Sequence, residues 1–111
     1  MRVISKRRLR EFWEAHPEAE EPLKAWWRIV GARDTQWRHI HDVKAMLTGV
    51  DGFNLECGIP VVVFNIGGNK YRLVARVLYS FQRVYVKAIL THEEEEYDAA
   101  KWKEQICLGL I

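Results

Sequence analysis

The chain has 111 residues, about half of them apolar, and its 17 basic and 15 acidic side chains leave a formal net charge of only +2. This length suits one domain around one core, so we expect residues 1–111 to form a single domain. The pI of about 8.6 permits a nucleic-acid partner without requiring one, and no apolar run is long enough to cross a membrane.

The first eight residues lack the apolar segment of a secretory signal, and we therefore expect a cytoplasmic protein without a membrane partner. Cys57 and Cys107 lie far apart, without the spacing of a zinc site or of a disulfide framework, so we expect two free thiols. Because His16, His39 and His41 add no metal-ligand pattern, we expect no metal and no cofactor.

Three helices are predicted in the first half of the chain. Residues 5–16 place apolar side chains at helical spacing, with Ser5 positioned to cap this helix and Pro17 to end it. The second helix has an apolar stripe at i, i+3, i+4 and i+7, formed by Leu23, Trp26, Trp27 and Val30. Residues 42–48 predict a short third helix, with Gly49 as its stop.

Strands are predicted in the second half, followed by one helix. The strands are expected at residues 53–56, 60–66, 71–79 and 84–90. Turns at 67–69 and 80–83 join the last three into an antiparallel meander. A capping-box pattern that begins at Thr91 predicts a final helix to about Glu104. This order predicts an α+β domain with the helices packed against one face of a small antiparallel sheet.

Basic side chains concentrate on the central strands of this predicted sheet. Arg72 and Arg76 share one face of a strand, Lys87 lies on the next strand, and Lys70 lies at the turn. If Lys87 points to the same side, the sheet offers guanidinium and ammonium groups to an RNA phosphate. The alternative is that these positions form the solvated polar face of an open antiparallel sheet.

Two further side chains are candidates for acid–base chemistry. His92 follows the last strand, where an imidazole could act as an acid or base near neutral pH, although an exposed capping residue is the alternative. Tyr97 could assist a leaving group, or it could pack in the final helix. The early cations Lys6, Arg7, Arg8 and Arg10 could touch RNA, but we interpret them as a solvated helix face.

A longer motif connects these residues to a known family. The segment Val63–Ala75, with its Asn-Ile-Gly-Gly-Asn-Lys-Tyr-Arg turn, resembles the central motif of HigB-type toxins from type II toxin–antitoxin systems. Three other segments resemble the same family in the same order: 16–27, 42–45 and 91–98. The resemblance covers nearly the whole chain and implies the RelE-like fold of the mRNA interferase superfamily.

The resemblance also implies an activity, a mechanism and partners. It implies metal-independent cleavage of mRNA, usually on the ribosome, and a HigA-like helix-turn-helix antitoxin that binds the toxin in a hetero-oligomer. Arg72 and Lys87 match positions that would hold the phosphate, and His92 and Tyr97 match positions that would serve proton transfer. Which group is the base and which is the acid stays open.

The end of the motif departs from the family pattern. The family has Thr-His-x-x-Tyr-Asp, whereas Glu93–Glu96 separate His92 from Tyr97 here. On a continuous helix, i and i+5 residues stand about 140° apart, so both could not line one site. Either the loop before the helix is longer or Tyr97 has rotated away. The alternative to a nuclease is thus a toxin-like module that binds RNA, ribosome or antitoxin without cleavage.

Overall fold

The computed structural model describes residues 1–92 and 99–111, and within them the chain forms a five-stranded sheet between helices. The helices are α1 (Lys6–Ala15), α2 (Glu20–Val30), α3 (Ile40–Met46) and α4 (Ala99–Cys107). The strands are β1 (Arg2–Ile4), β2 (Val50–Asn54), β3 (Pro60–Ile66), β4 (Tyr71–Leu78) and β5 (Arg83–Thr91). The predicted α+β class is therefore confirmed.

The predicted helices are present, with shifted ends. Ser5 occupies the N-cap position of α1 without a side-chain capping bond, and α1 stops before Pro17, which opens a short 3₁₀ turn. The third helix begins two residues earlier than predicted, at Ile40, and Leu47 already has an extended backbone. The final helix ends at Cys107 rather than Glu104, and its predicted start falls within residues 93–98, outside the described residues.

The sheet order is β1-β5-β4-β3-β2, and this corrects the prediction of a purely antiparallel sheet. Strands β2 to β5 form the expected meander, but β1 pairs with β5 in parallel, from Arg2 opposite Arg83 to Ile4 opposite Tyr85. A three-residue strand is too short to show an alternating pattern, and its partner lies some eighty residues away. Local sequence therefore gave no signal for β1.

The two faces of the sheet are covered by different helices, which corrects the prediction that all helices pack on one face. The first face packs against α1, α2 and α3 in the larger core, which includes Leu9, Leu23, Trp26, Val43, Phe64 and Leu73. The second face packs against α4 in a smaller core, formed by Leu55, Val61, Val63, Val74, Trp102 and Ile106. Val61–Val63 form a continuous apolar run because β3 is covered on both faces.

A disulfide between Cys57 and Cys107 corrects the expectation of two free thiols. Cys57 lies in the loop between β2 and β3, and Cys107 lies at the end of α4. Since α4 packs across the second face, it brings the two residues together over a sequence separation of 50. Cysteine spacing alone carries no information about such a tertiary contact.

The turn between β3 and β4 has the unusual backbone that its glycines allow. Gly67, Gly68 and Asn69 all have positive φ angles, of 63°, 61° and 78°. Glycine adopts this region without steric cost, and asparagine tolerates it better than most residues. The turn sets Asn65 opposite Arg72, which fixes which side chains of β4 reach the second face.

Candidate functional site

The register of β4 and β5 decides which of the predicted site residues share a face. Arg72 lies opposite Leu90, Val74 opposite Ala88 and Arg76 opposite Tyr85. Directly opposed residues of an antiparallel pair point to the same side, and Val74, Ala88 and Leu90 belong to the core of the second face. Arg72 and Arg76 therefore both lie on the second face, as the alternation of β4 predicts.

Lys87 occupies an irregularity in this ladder. The register shifts between Val74 and Ala75, which pair with Ala88 and Val86, so Lys87 is the extra residue of a β-bulge. Its Nζ donates a hydrogen bond to the main-chain oxygen of Ile111, 3.2 Å away, and lies 5.8 Å from the centre of the Tyr85 ring. Because Ile111 packs with the second core, Lys87 points to the same side as Arg76.

Two other cations surround Lys87. The pKa of Lys87 is lowered, mainly because burial disfavours the charged ammonium group, and further by the positive charges of Arg76 and Arg8. Arg8 of α1 donates a hydrogen bond from its Nη1 to the Lys87 carbonyl at 2.9 Å. Arg8, Arg76 and Lys87, from α1, β4 and β5, are called the cationic trio below.

Within residues 1–92 and 99–111, no Asp or Glu side chain forms an ion pair with the cationic trio. The ion pairs there join Arg7 to Glu11, Lys24 to Glu20 and Arg38 to Asp42, and each is an i, i+4 pair on the surface. In addition, the buried Nε of Arg76 has no hydrogen-bond partner in this part of the chain. A buried donor without an acceptor costs free energy.

Arg72 lies at the other end of the strand pair from the trio. Its Nη1 donates to the backbone carbonyls of Asn69 and Tyr71, both at 3.2 Å, which holds the guanidinium beside the glycine turn. Arg76 lies four positions after Arg72, or about 13 Å along the strand. Val74 lies between them and is fully buried in the core that α4 covers.

The remaining predicted residues lie near Arg72 or outside the described residues. Lys70 is exposed in the turn before β4. His92 is also exposed and directly follows Thr91, which pairs with Tyr71. Tyr97 belongs to residues 93–98 and therefore lies outside the described residues, as do Glu93–Glu96. The structure thus brings Arg76 and Lys87 together and places Arg72 and His92 at the opposite end of the same strands.

Sequence reasoning missed Arg8 as a member of this group. The cluster Lys6 to Arg10 was interpreted as a solvated helix face, and Arg7 fits that description because it is exposed and pairs with Glu11. Arg8 differs only because α1 packs beside β5 and directs it to the bulge. Nothing in the local pattern distinguishes Arg8 from its neighbours.

Comparison with known proteins places the chain in a family. Residues 19–100, well over half of the chain, match the family model HigB_toxin, described as the RelE-like toxic component of a toxin–antitoxin system. The chain belongs to this family. This HigB-family chain is 27% identical over 100 residues to the mRNA interferase toxin HigB of Escherichia coli K12. The same identity relates it to the mRNA interferase HigB proteins of Escherichia coli O157:H7 and Shigella flexneri.

These similarities extend over most of each chain. In each case the matched region covers 90% of this chain and 92% of the relative. Membership of the family makes the chain the toxic half of a toxin–antitoxin pair, so an antitoxin is its partner. It also confirms the resemblance that the Gly-Gly-Asn-Lys-Tyr-Arg turn motif indicated.

The described residues contain neither a metal-binding cluster nor a membrane-spanning helix. Across residues 1–92 and 99–111, no three His, Cys, Asp or Glu side chains are arranged to hold a metal ion. In the same part of the chain, none of the helices has the length and apolarity needed to span a bilayer.

Proposed function

We propose that this HigB-family toxin is a metal-independent endoribonuclease that cleaves mRNA, acting on the ribosome. The carrying observation is the cationic trio, a cluster of positive charge with which no Asp or Glu side chain of the described residues forms an ion pair, beside the face that also holds Arg72. Such a surface suits a phosphodiester backbone. The mRNA interferase names of the three relatives support the same substrate.

The proposed reaction is an internal transesterification of RNA. The 2′-oxygen forms a bond to phosphorus while the bond from phosphorus to the 5′-oxygen breaks, leaving a 2′,3′-cyclic phosphate and a free 5′-hydroxyl. The proton of the 2′-hydroxyl goes to a base, and an acid returns a proton to the 5′-oxygen. Positioned cations stabilise the extra negative charge of the crowded phosphate, so side chains alone can supply the electrostatic stabilisation.

The proposed site residues have different roles in this reaction, according to their positions. Arg72 and Lys87 lie on either side of the covered Val74, and each binds a phosphate of the RNA at its own end of the strand pair. Arg76 and Lys70 hold the RNA strand on either side. His92, exposed at the end of β5, is our first choice for the acid or base, and Tyr97 assists.

The proposed partners follow the family's organisation. We propose a HigA-like helix-turn-helix antitoxin, a hetero-oligomer of toxin and antitoxin, and action in the cytoplasm, where mRNA and ribosomes are found. A reducing cytoplasm would keep the Cys57 and Cys107 thiols reduced unless the disulfide resists reduction. The proposed cleavage does not use either cysteine.

A second candidate function is a toxin-like module that binds without cutting. The observation in its favour is the run Glu93–Glu96, which lengthens the distance in sequence between His92 and Tyr97 and adds negative charge there. Carboxylates close to the phosphate would repel RNA. Growth arrest without transcript cleavage is the result that this candidate predicts.

One experiment separates the two functions. The toxin is induced without its antitoxin in a bacterial host, transcript ends are mapped by primer extension, and the variants Arg72→Ala and His92→Ala are compared with wild type. Arg28→Ala, an exposed cation on α2, is the matched control. We expect new 5′ ends with wild type and the control, and at least a tenfold loss of these ends with the other two variants.

Two results would contradict the proposal. Growth arrest by wild type without cut transcripts would exclude the nuclease and favour the binding module. Full cleavage by Arg72→Ala would show that Arg72 does not hold the phosphate. Repeating the cleavage with purified toxin on naked mRNA and on translating ribosomes tests ribosome dependence separately.

A further inference from the structure

We propose that Arg8 of α1 is an RNA-contacting residue of this toxin, and that it binds a phosphate of the single-stranded RNA together with Arg76 and Lys87. This inference rests on the proposed function and extends its site from the sheet to the first helix. It concerns a residue whose sequence context indicates only a solvated helix face.

The β-bulge explains why Arg8 is fixed where it is. An extra residue in a strand interrupts the ladder of backbone hydrogen bonds, so its carbonyl becomes available to another donor. Arg8 donates to the carbonyl of the bulge residue Lys87 at 2.9 Å, across a sequence separation of 79 residues. The guanidinium is thereby anchored beside the Lys87 ammonium group instead of extending into solvent.

The anchoring bond uses only one of the donors of Arg8. A guanidinium has five N–H donors in a fixed plane, and within residues 1–92 and 99–111 Arg8 donates from one nitrogen, Nη1, to the Lys87 carbonyl. The side chain remains exposed. The remaining donors keep the fork arrangement that matches two oxygens of a phosphate.

The positive charges of the cationic trio favour an anion as its binding partner. Three positive groups that lie together repel one another, and the repulsion contributes to the lowered pKa of Lys87. Arg7, one residue earlier, meets Glu11 at 2.8 Å, so the same helix provides a carboxylate for one arginine and not for the next.

Single-stranded RNA fits these groups better than a lone small anion. The trio is formed by one helix and two strands, so its charged groups can contact more than one phosphate. A positive groove that follows several phosphates in succession is the common feature of proteins that bind single strands. Arg8 therefore extends the RNA path towards α1.

The test measures how RNA binding depends on salt. A fluorescent single-stranded RNA with 2′-O-methyl groups throughout cannot be cleaved, and its anisotropy gives the binding constant at several salt concentrations. Arg8→Gln removes the charge but keeps a donor for the Lys87 carbonyl, and Arg8→Lys keeps the charge. Arg7→Gln removes a charge from the neighbouring position and is the matched control.

Each phosphate contact with a single strand contributes about 0.7 to the slope of log K against log salt. We expect the slope for Arg8→Gln to fall by about 0.7, while Arg8→Lys and Arg7→Gln keep the wild-type slope. Equal slopes for Arg8→Gln and Arg7→Gln would overturn the assignment of Arg8 and leave the proposed function standing. RNA binding by wild type without any salt dependence would overturn both.

Discussion

We expect the free energy of unfolding to fall substantially when either cysteine of the Cys57–Cys107 disulfide is replaced. It closes a loop with a sequence separation of 50 residues. The chain-entropy estimate for a loop of that size is about 4 kcal/mol at 25 °C. With an unfolding entropy of about 2.1 cal/mol/K per residue, a chain of 111 residues would then melt about 17 °C lower.

The assay is thermal and urea unfolding of Cys107→Ser, Cys57→Ser and wild type, each with and without a dithiol reductant. We expect both variants to match reduced wild type and to be insensitive to the reductant. Oxidised wild type should be more stable than all of these by about 4 kcal/mol. Equal stability of oxidised wild type and the two variants, or the absence of the bond in purified oxidised protein by mass spectrometry, would refute this reasoning.

Three further predictions concern the site, the core and a turn. Because burial and neighbouring cations lower the pKa of Lys87, the ammonium group loses its charge at a pH below the ordinary lysine value of 10.5. RNA affinity should therefore fall with rising pH before that value is reached, and Lys87→Arg should remove this fall in an anisotropy titration. In the core, Leu73→Ala should cost about 3 kcal/mol of unfolding free energy, against less than about 0.5 kcal/mol for the exposed Leu110→Ala. Equal losses of unfolding free energy for the two variants in urea would contradict the burial of Leu73. At the turns, Gly49→Ala should destabilise more than Gly58→Ala, because both have positive φ but only the first would place a Cβ 2.6 Å from the Asn65 side-chain amide nitrogen. Comparison of the two melting temperatures checks this order.

Local patterns predicted most of the fold correctly. The apolar stripe of α2 buries Leu23, Trp26 and Val30, and the alternation of β4 separates Arg72 and Arg76 from the larger core. The glycine turn is also where the pattern places it. Each of these features depends on contacts between near neighbours or on one-sided burial, which a sequence displays directly.

The missed features all depend on contacts between distant parts of the chain. The parallel strand β1 needs β5, the disulfide needs α4 to cross the second face, and the role of Arg8 needs a bulge on another strand. No periodicity encodes such pairings. The candidate site shows the same division, because the sequence predicts which cations share a face but not that Val74 and α4 separate Arg72 from Arg76.

The account depends most directly on contact between RNA phosphates and the cations of the second face. The decisive measurement is the salt dependence of uncleavable RNA binding for the double variant Arg76→Gln/Lys87→Gln. Its matched control is Lys24→Gln/Arg28→Gln, which removes two charges from α2. We predict that the slope falls by about 1.4 for the first variant and stays at the wild-type value for the second. Equal slopes for the two double variants would contradict the account.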